Sequence, residues 1–72
     1  METITITTEF IKLQDLLKFA SLVSTGGEAK ICITEGEVCV NGEVCTQRGK
    51  KIRPGDIVVF RKKEITVSYA AQ

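Results

Sequence analysis

The sequence predicts an α+β domain in which two short helices pack on a small, bent, mainly antiparallel sheet, in the order β-α-α-β-β-β-β. Three observations predict it: polar and apolar residues alternate near the N-terminus, a helical apolar spacing follows, and the second half holds short alternating segments between turn residues. A length of 72 residues fits one domain, residues 1–72. Its core should be thin, because a chain this short buries only roughly 60% of its unfolded surface.

The first strand and the first helix are predicted by a change of period. Residues 3–7 (TITIT) alternate β-branched polar and apolar side chains, which is typical of a half-buried strand. A helix should then begin near residues 11–13. Its apolar side chains fall at i, i+3, i+4 and i+7, namely Leu13, Leu16, Leu17 and Ala20.

A second, shorter helix should follow the break at residues 24–27 (STGG). Thr25 and Glu28 have the spacing of a capping box, in which the hydroxyl accepts a backbone N–H and the carboxylate reaches back. The predicted inward face consists of Ala29, Cys32 and Ile33. Gly36 stands where a left-handed residue would end the helix.

The second half of the chain should form strands joined by tight turns. Asn41-Gly42 between two apolar runs predicts a two-residue type I′ hairpin, which would place Cys39 opposite Val44 and Val38 opposite Cys45. Residues 54–56 (PGD) mark another turn before a strand at 57–60. A basic turn at 61–63 then leads to a last strand, residues 65–69.

The composition favours a cytoplasmic protein without metal or cofactor. The chain has three cysteines, no Cys-x-x-Cys spacing and no histidine, so neither a disulfide framework nor a zinc site is expected. Apolar runs are only strand-length, as at residues 57–60, and we expect no membrane association. The start at Met1 lacks the basic and apolar regions of a signal peptide.

The net charge of +1 conceals a division along the chain. Residues 1–47 hold three lysines against seven acidic residues, a net −4, whereas residues 48–64 hold seven basic residues against two acidic ones, a net +5. The C-terminal half therefore carries the potential that attracts a polyanion. A merely solubilising basic face is the alternative interpretation.

Several motifs occur in a specific order and spacing over residues 12–60. They are the leucines of the first helix, residues 26–30 (GGEAK), residues 36–42 (GEVCVNG) and residues 55–56 (GD). This series resembles the RNA-binding domain named after ribosomal small-subunit protein four, the S-four domain, and most of all its short stand-alone bacterial members. The resemblance implies a non-catalytic protein that binds structured RNA. Ribosomal RNA or a ribosome-assembly particle is the first expectation, and tRNA or small RNA the next.

The candidate RNA-binding residues lie in two stretches. The basic segment 47–53 (QRGKKIR) carries four cations without an acidic residue between them, Arg48, Lys50, Lys51 and Arg53. Arginines can bind phosphate with both arms of the guanidinium, whereas lysines act as mobile point charges. The resemblance adds Lys30 on the second helix. Secondary candidates are Lys12, Lys18 and Arg61.

Gly26 and Gly27 are a departure from the family pattern, because many S-four domains place Ser-Arg at the start of the second helix and that arginine contacts RNA. Two interpretations remain open for the glycine pair. Free N–H groups at a helix start favour a phosphate, which glycines allow to approach closely. Alternatively, the pair only permits a tight turn between the helices.

The composition also bears on two other functional classes, an enzyme and a protein-binding adaptor. An enzyme is not favoured, since the chain lacks histidine, a nucleophile–base pair and a metal cluster. A ubiquitin-like protein-binding adaptor is the main alternative, although the ending Ala70-Ala71-Gln72 lacks the Gly-Gly that sulfur carriers need. No obligate protein partner is indicated. The four aromatic residues are expected in the core, which favours recognition of RNA shape over base stacking.

Overall fold

The structure is a computed structural model that describes residues 2–71. Met1 and Gln72, on which the expectations about a signal peptide and a carrier C-terminus partly rest, lie outside the described residues. Over this range the elements are β1 (Glu2–Ile6), β2 (Ile11–Lys12), α1 (Leu13–Phe19), α2 (Gly26–Thr34), β3 (Val38–Val40), β4 (Glu43–Val44), β5 (Lys51–Ile52), β6 (Ile57–Phe60) and β7 (Lys63–Tyr69).

The strands form a five-stranded sheet in the order β1-β7-β6-β3-β4 and a separate two-stranded ribbon, β2-β5. All neighbours in the main sheet are antiparallel except β1 and β7, which run parallel from the pair Glu2 and Ile65 to the pair Ile6 and Tyr69. The predicted α+β class and the mainly antiparallel sheet are confirmed. The parallel pair joins the two ends of the chain.

The core lies between the helices and one face of the sheet. The predicted helical stripe is confirmed, since Leu13, Leu16 and Leu17 are fully buried and Ala20 packs against them half-buried. The inward face of α2 is also confirmed. From the sheet, alternate side chains complete the cluster, in keeping with the period of two along a strand: Ile4, Ile6, Val38, Val40, Val58, Phe60, Ile65 and Val67.

The β3-β4 hairpin is as predicted, and so is the end of α2, where Gly36 has a φ of 80°. Asn41 and Gly42 have φ of 51° and 87°, as a type I′ turn requires, and Cys39 pairs with Val44. The N–H of Cys45 donates to the carbonyl of Val38 at 2.9 Å, so Cys39 and Cys45 occupy opposite faces as predicted.

The capping box of α2 differs from the prediction by one residue. The N–H of Glu28 donates to the Thr25 hydroxyl at 3.1 Å, as expected. The Glu28 carboxylate, however, accepts the N–H of Ser24 at 2.7 Å rather than that of Thr25. Both bonds still tie the chain before the helix to its first turn, so the boundary of α2 is as predicted.

The expectation that all four aromatic residues lie in the core is wrong. Only Phe60 is buried, whereas the side chains of Phe19 and Tyr69 are 63% and 55% exposed and Phe10 is half-buried. Phe19 lies off the leucine stripe of α1, and Tyr69 lies beyond the last buried residue of β7. Exposed aromatic rings are therefore available, and the distribution of aromatic residues does not disfavour base stacking.

Candidate nucleic-acid interface

The basic segment is fixed through its backbone against the first turn of α1. The N–H of Leu13 donates to the carbonyl of Lys50 at 2.9 Å, and the N–H of Gln14 donates to the carbonyl of Arg48 at 3.1 Å. These carbonyls satisfy helix-start N–H groups that Lys12, the N-cap residue, does not bind through its side chain. The backbone is thus held in place while the side chains of Arg48 and Lys50 remain exposed.

The same segment continues into the ribbon, which has one buried and one exposed face. Ile11 pairs with Ile52 and turns to the core, where Ile52 is fully buried. Lys12 pairs with Lys51, and one residue further along the same register Phe10 stands across from Arg53. Because side chains alternate along strands, one exposed face collects an aromatic ring and three cations. We call it the ribbon face: Phe10, Lys12, Lys51 and Arg53.

The Phe10 ring lies against two of these cations. The Lys51 ammonium is 5.0 Å from the ring centroid and the Arg53 guanidinium carbon is 5.8 Å from it, both within cation–π range. The turn before the ring is held by the Thr8 hydroxyl, which donates to the Phe10 carbonyl at 2.8 Å. Phe10 does not belong to the hydrophobic core cluster of the described residues.

A cleft of about 560 Å³ opens between the basic segment and the β3-β4 hairpin. Lys50, Lys51 and Arg53 line one side of it. Glu43 and Gln47 supply polar groups to the same cleft. Its volume falls within the range of small-ligand pockets, and its cations can reach a phosphate that enters it.

Asn41 and Asp56 join the hairpin to the turn that ends the basic segment. The Asn41 amide donates to one Asp56 carboxylate oxygen at 3.0 Å, and the Arg53 N–H donates to the other at 2.8 Å. The N–H of Ile57 in turn donates to the Asn41 side-chain oxygen at 2.9 Å. Asp56 thus bonds local backbone within the predicted turn, and both residues have an architectural role.

The second group of candidates surrounds the start of α2. Gly26, Gly27 and Lys30 are all exposed, and Gly26 and Lys30 share one helix face at the i, i+4 spacing. The Lys18 ammonium lies 3.8 Å from the point where a Cβ on Gly26 would be, and 3.5 Å from the Asp15 carboxylate. We call Lys18, Gly26, Gly27 and Lys30 the helix-start group.

Helix α1 separates the two groups. The basic segment bonds to its first turn, and Lys18, in its last turn, reaches Gly26. Seven helical residues span about 10 Å. The candidate residues therefore form two clusters at the two ends of α1 rather than one continuous patch.

Arg61 has partners of its own. Its guanidinium donates to the Glu37 carboxylate at 2.8 Å and lies over the Phe60 ring at 4.8 Å. The bond from Arg61 lowers the pKa of Glu37, and the same carboxylate raises the pKa of Arg61. Burial raises the pKa of the neighbouring Cys32 thiol, and the Glu37 charge raises it further. This cluster neutralises Arg61 within the protein.

Apart from Lys18, the remaining candidate cations have no such partner among residues 2–71. Ion pairs in this range involve only Lys18 with Asp15 and Arg61 with Glu37, so the charges of Lys12, Lys30 and the four cations of the basic segment are uncompensated by contact. The three cysteines are unpaired thiols. In the described part of the chain, no cluster of three potential metal ligands occurs. Neither of its helices has the length and apolar character needed to cross a bilayer.

Two residues gain importance from the structure. Lys12 was predicted as secondary, but its pairing with Lys51 brings it into the ribbon face. The expectation that Phe10 lies in the core is wrong, and the sequence gives only a weak indication of its position on the exposed face of the ribbon. Two-residue strands show no periodicity, and only the alternation of residues 10–12 about Ile11 points to it.

Comparison with known proteins supplies the family. Residues 4–68 match the model of the S4 domain, which is the S-four domain. The chain is 46% identical over 55 residues to the Bacillus subtilis protein named "Probable ribosome maturation protein RlbA", covering 76% of this chain and 78% of the relative. It is 40% identical over 57 residues to YbcJ of Escherichia coli, covering 79% and 81%.

A solved structure agrees with this match. The solution structure of E. coli YbcJ, described as revealing an αL motif involved in RNA binding, superposes with a TM-score of 0.73 at 36% identity, covering 94% of this chain and 87% of that one. The S4 domain is a non-catalytic RNA-binding fold, and the S4 match replaces the ubiquitin-like alternative. The chain belongs to the S4 domain family.

Proposed function

We propose that this protein binds structured RNA, namely ribosomal RNA or a ribosome-assembly particle, through the basic segment, the ribbon face and the helix-start group. One observation carries the proposal. Backbone pairing gathers five exposed cations around the start of α1, and none of them has an acidic partner within residues 2–71: Lys12, Arg48, Lys50, Lys51 and Arg53. Holding like charges together costs free energy in the unbound protein, and a polyanion offsets that cost.

The names of the relatives support the choice of RNA. RlbA is named for ribosome maturation, and the αL motif of YbcJ is described as involved in RNA binding. A ribosomal target also fits a cytoplasmic protein. tRNA and small RNA are the competing ligands, and crosslinking in cells followed by sequencing of the attached RNA separates the three.

Each group contributes in its own way. Lysine and arginine side chains of the basic segment neutralise phosphates, with the arginines able to bind two oxygens at once. Lys30 and Lys18 supply charge at the helix-start group, where Gly26 and Gly27 present backbone without side chains. We propose that a phosphate approaches there, because a helix start favours an anion. Arg61, already bound to Glu37, contributes little.

The test compares two double variants of equal charge. Lys50→Ala/Lys51→Ala removes two proposed contacts. Lys62→Ala/Lys63→Ala removes two exposed lysines, one in the turn before β7 and one at the start of β7, and leaves Arg61 in place. Binding of a structured ribosomal RNA fragment is titrated at several salt concentrations. If the five cations around the start of α1 each contact a phosphate, log affinity should fall with log salt at a slope of about −3.5 to −4.5 in the wild type, and more steeply if the helix-start lysines also bind.

The first variant should flatten that slope by about 1.4 to 1.8 and lower the affinity for all structured RNAs by a similar factor. The second variant should retain both the slope and the affinity of the wild type. If only the second variant loses RNA, the interface lies at the other end of the sheet. If neither loses RNA, the basic segment is a solvated face. A protein partner that co-purifies stoichiometrically after RNase treatment would instead support a protein-binding role.

A further inference from the structure

We infer that Phe10 is a positioning residue for RNA binding, which holds the Lys51 and Arg53 side chains extended over its ring so that they meet phosphate together. This inference rests on the proposed function and adds to it a residue that carries no charge. It concerns the one aromatic ring of the described residues that contacts two cations.

The surroundings of Phe10 support a positioning role over a core role. The ring is half-buried, yet it lies outside the hydrophobic core cluster, whose partly buried neighbours include Ile11 on the opposite face of the ribbon. Its contacts are with the Lys51 ammonium and the Arg53 guanidinium, at 5.0 and 5.8 Å from the ring centroid. Truncating a ring in this position should therefore cost little folding stability.

The backbone gives the ring a fixed place from which to act. The register puts Phe10 across from Arg53, next to the Lys12–Lys51 pair, and the Thr8 hydroxyl holds the preceding turn. Free lysine and arginine side chains sample many rotamers, and ordering them on binding costs affinity. A ring that already restricts two of them reduces that cost and leaves their N–H groups free for phosphate oxygens.

The first experiment needs no RNA. Methylene protons of Lys51 and Arg53 that lie over the ring should have upfield NMR shifts in the wild type. These shifts should disappear in Phe10→Leu and persist in Phe10→Tyr, and Tyr69→Leu should leave them unchanged. Wild-type shifts equal to those of a free side chain would overturn the inference, whatever the RNA result.

The second experiment measures coupling in RNA binding. Phe10→Leu should weaken binding about two- to fivefold, the equivalent of one exposed cation–π interaction, and Phe10→Tyr or Phe10→Trp should restore it. In a Lys51→Met/Arg53→Met background at the same salt concentration, Phe10→Leu should have no further effect. Tyr69→Leu serves as the matched loss of an exposed ring without a cation contact.

The outcomes separate this inference from the proposed function. If Phe10→Leu costs the same factor with and without the two cations, the ring contacts the RNA itself, as in base stacking, and the positioning role is wrong. If Phe10→Leu binds like the wild type, the ring has no part in binding. Both results leave RNA binding standing, whereas a wild-type protein that binds no structured RNA overturns the proposed function and this inference with it.

Discussion

Asp56 shows how a motif residue can connect two parts of the fold through its side chain. Its two carboxylate oxygens accept from the Asn41 amide and from the backbone N–H of Arg53. The Asn-Gly and Gly-Asp motifs, fifteen residues apart, are thus parts of one connection. An aspartate in a turn commonly bonds nearby backbone, so this part of its role follows from the sequence. The partner Asn41 could not be predicted, since the contact depends on how the hairpin packs.

Replacing Asp56 should therefore lower the folding stability of the protein, mainly through lost hydrogen bonds. Asp56→Ala removes two hydrogen bonds to a carboxylate, and we expect the free energy of unfolding to fall by about 1–3 kcal/mol. The control is Asp15→Ala, which removes only the exposed ion pair with Lys18 and should change stability by less than about 1 kcal/mol. Urea unfolding measures both. Equal losses would show that the connection through Asp56 has no special weight.

Among the elements, those with a local signal were predicted and those made by distant pairing were not. Helix α1 has an apolar stripe, α2 has its cap at Thr25, and the β3-β4 hairpin has Asn41-Gly42. The ribbon pairs residues some forty positions apart through two-residue strands, too short for any period. The parallel pairing of β1 with β7 likewise depends on the closed sheet, and neither strand encodes the direction of its neighbour.

The hairpin turn offers a test in which backbone conformation is the only variable. Gly42 has φ of 87° with open space around it, so Gly42→Ala adds no clash and should cost about 1–2 kcal/mol of stability through left-handed strain. Gly49, in equally open space but without a positive φ, is the matched control. Gly49→Ala should be neutral or stabilising by up to about 1 kcal/mol. Thermal or urea unfolding that ranks the two in reverse would contradict the assigned turn.

At the scale of the whole molecule, the fold divides what the sequence shows as one basic region. The basic segment precedes β6 and contacts α1 and the ribbon, whereas Arg61 and its neighbours follow β6. The four residues of that strand span about 13 Å. Glu37, from the acidic part of the chain, neutralises Arg61 there. Counting charges along the chain predicted that a basic surface exists. The register of the ribbon assigns Lys12 to that surface. The position of Arg61 in the turn between β6 and β7 separates it from that surface.

This concentration of charge predicts opposite effects on stability and binding at Lys12. The residue faces Lys51 directly across the ribbon and precedes the positive end of α1, and both neighbours disfavour its charge. Lys12→Gln should therefore raise the free energy of unfolding by about 0.2–1 kcal/mol at low salt. This gain should vanish near 1 M salt, because the Debye length there is only about 3 Å.

The same substitution should weaken RNA binding and flatten the salt slope by about 0.7–0.9, the share of one phosphate contact. Lys63→Gln is the matched control, because Lys63 is exposed at the other end of the sheet and pairs with Phe60 rather than with another cation. It should alter neither stability nor binding. A Lys12→Gln protein that gains stability but keeps its full affinity would place Lys12 outside the interface. One that loses stability would show that repulsion across the ribbon is already relieved in the unbound protein. A Lys12→Gln protein that gains stability and loses RNA affinity would mean that this surface keeps a charge pattern that folding disfavours. Binding of a polyanion would then compensate the repulsion.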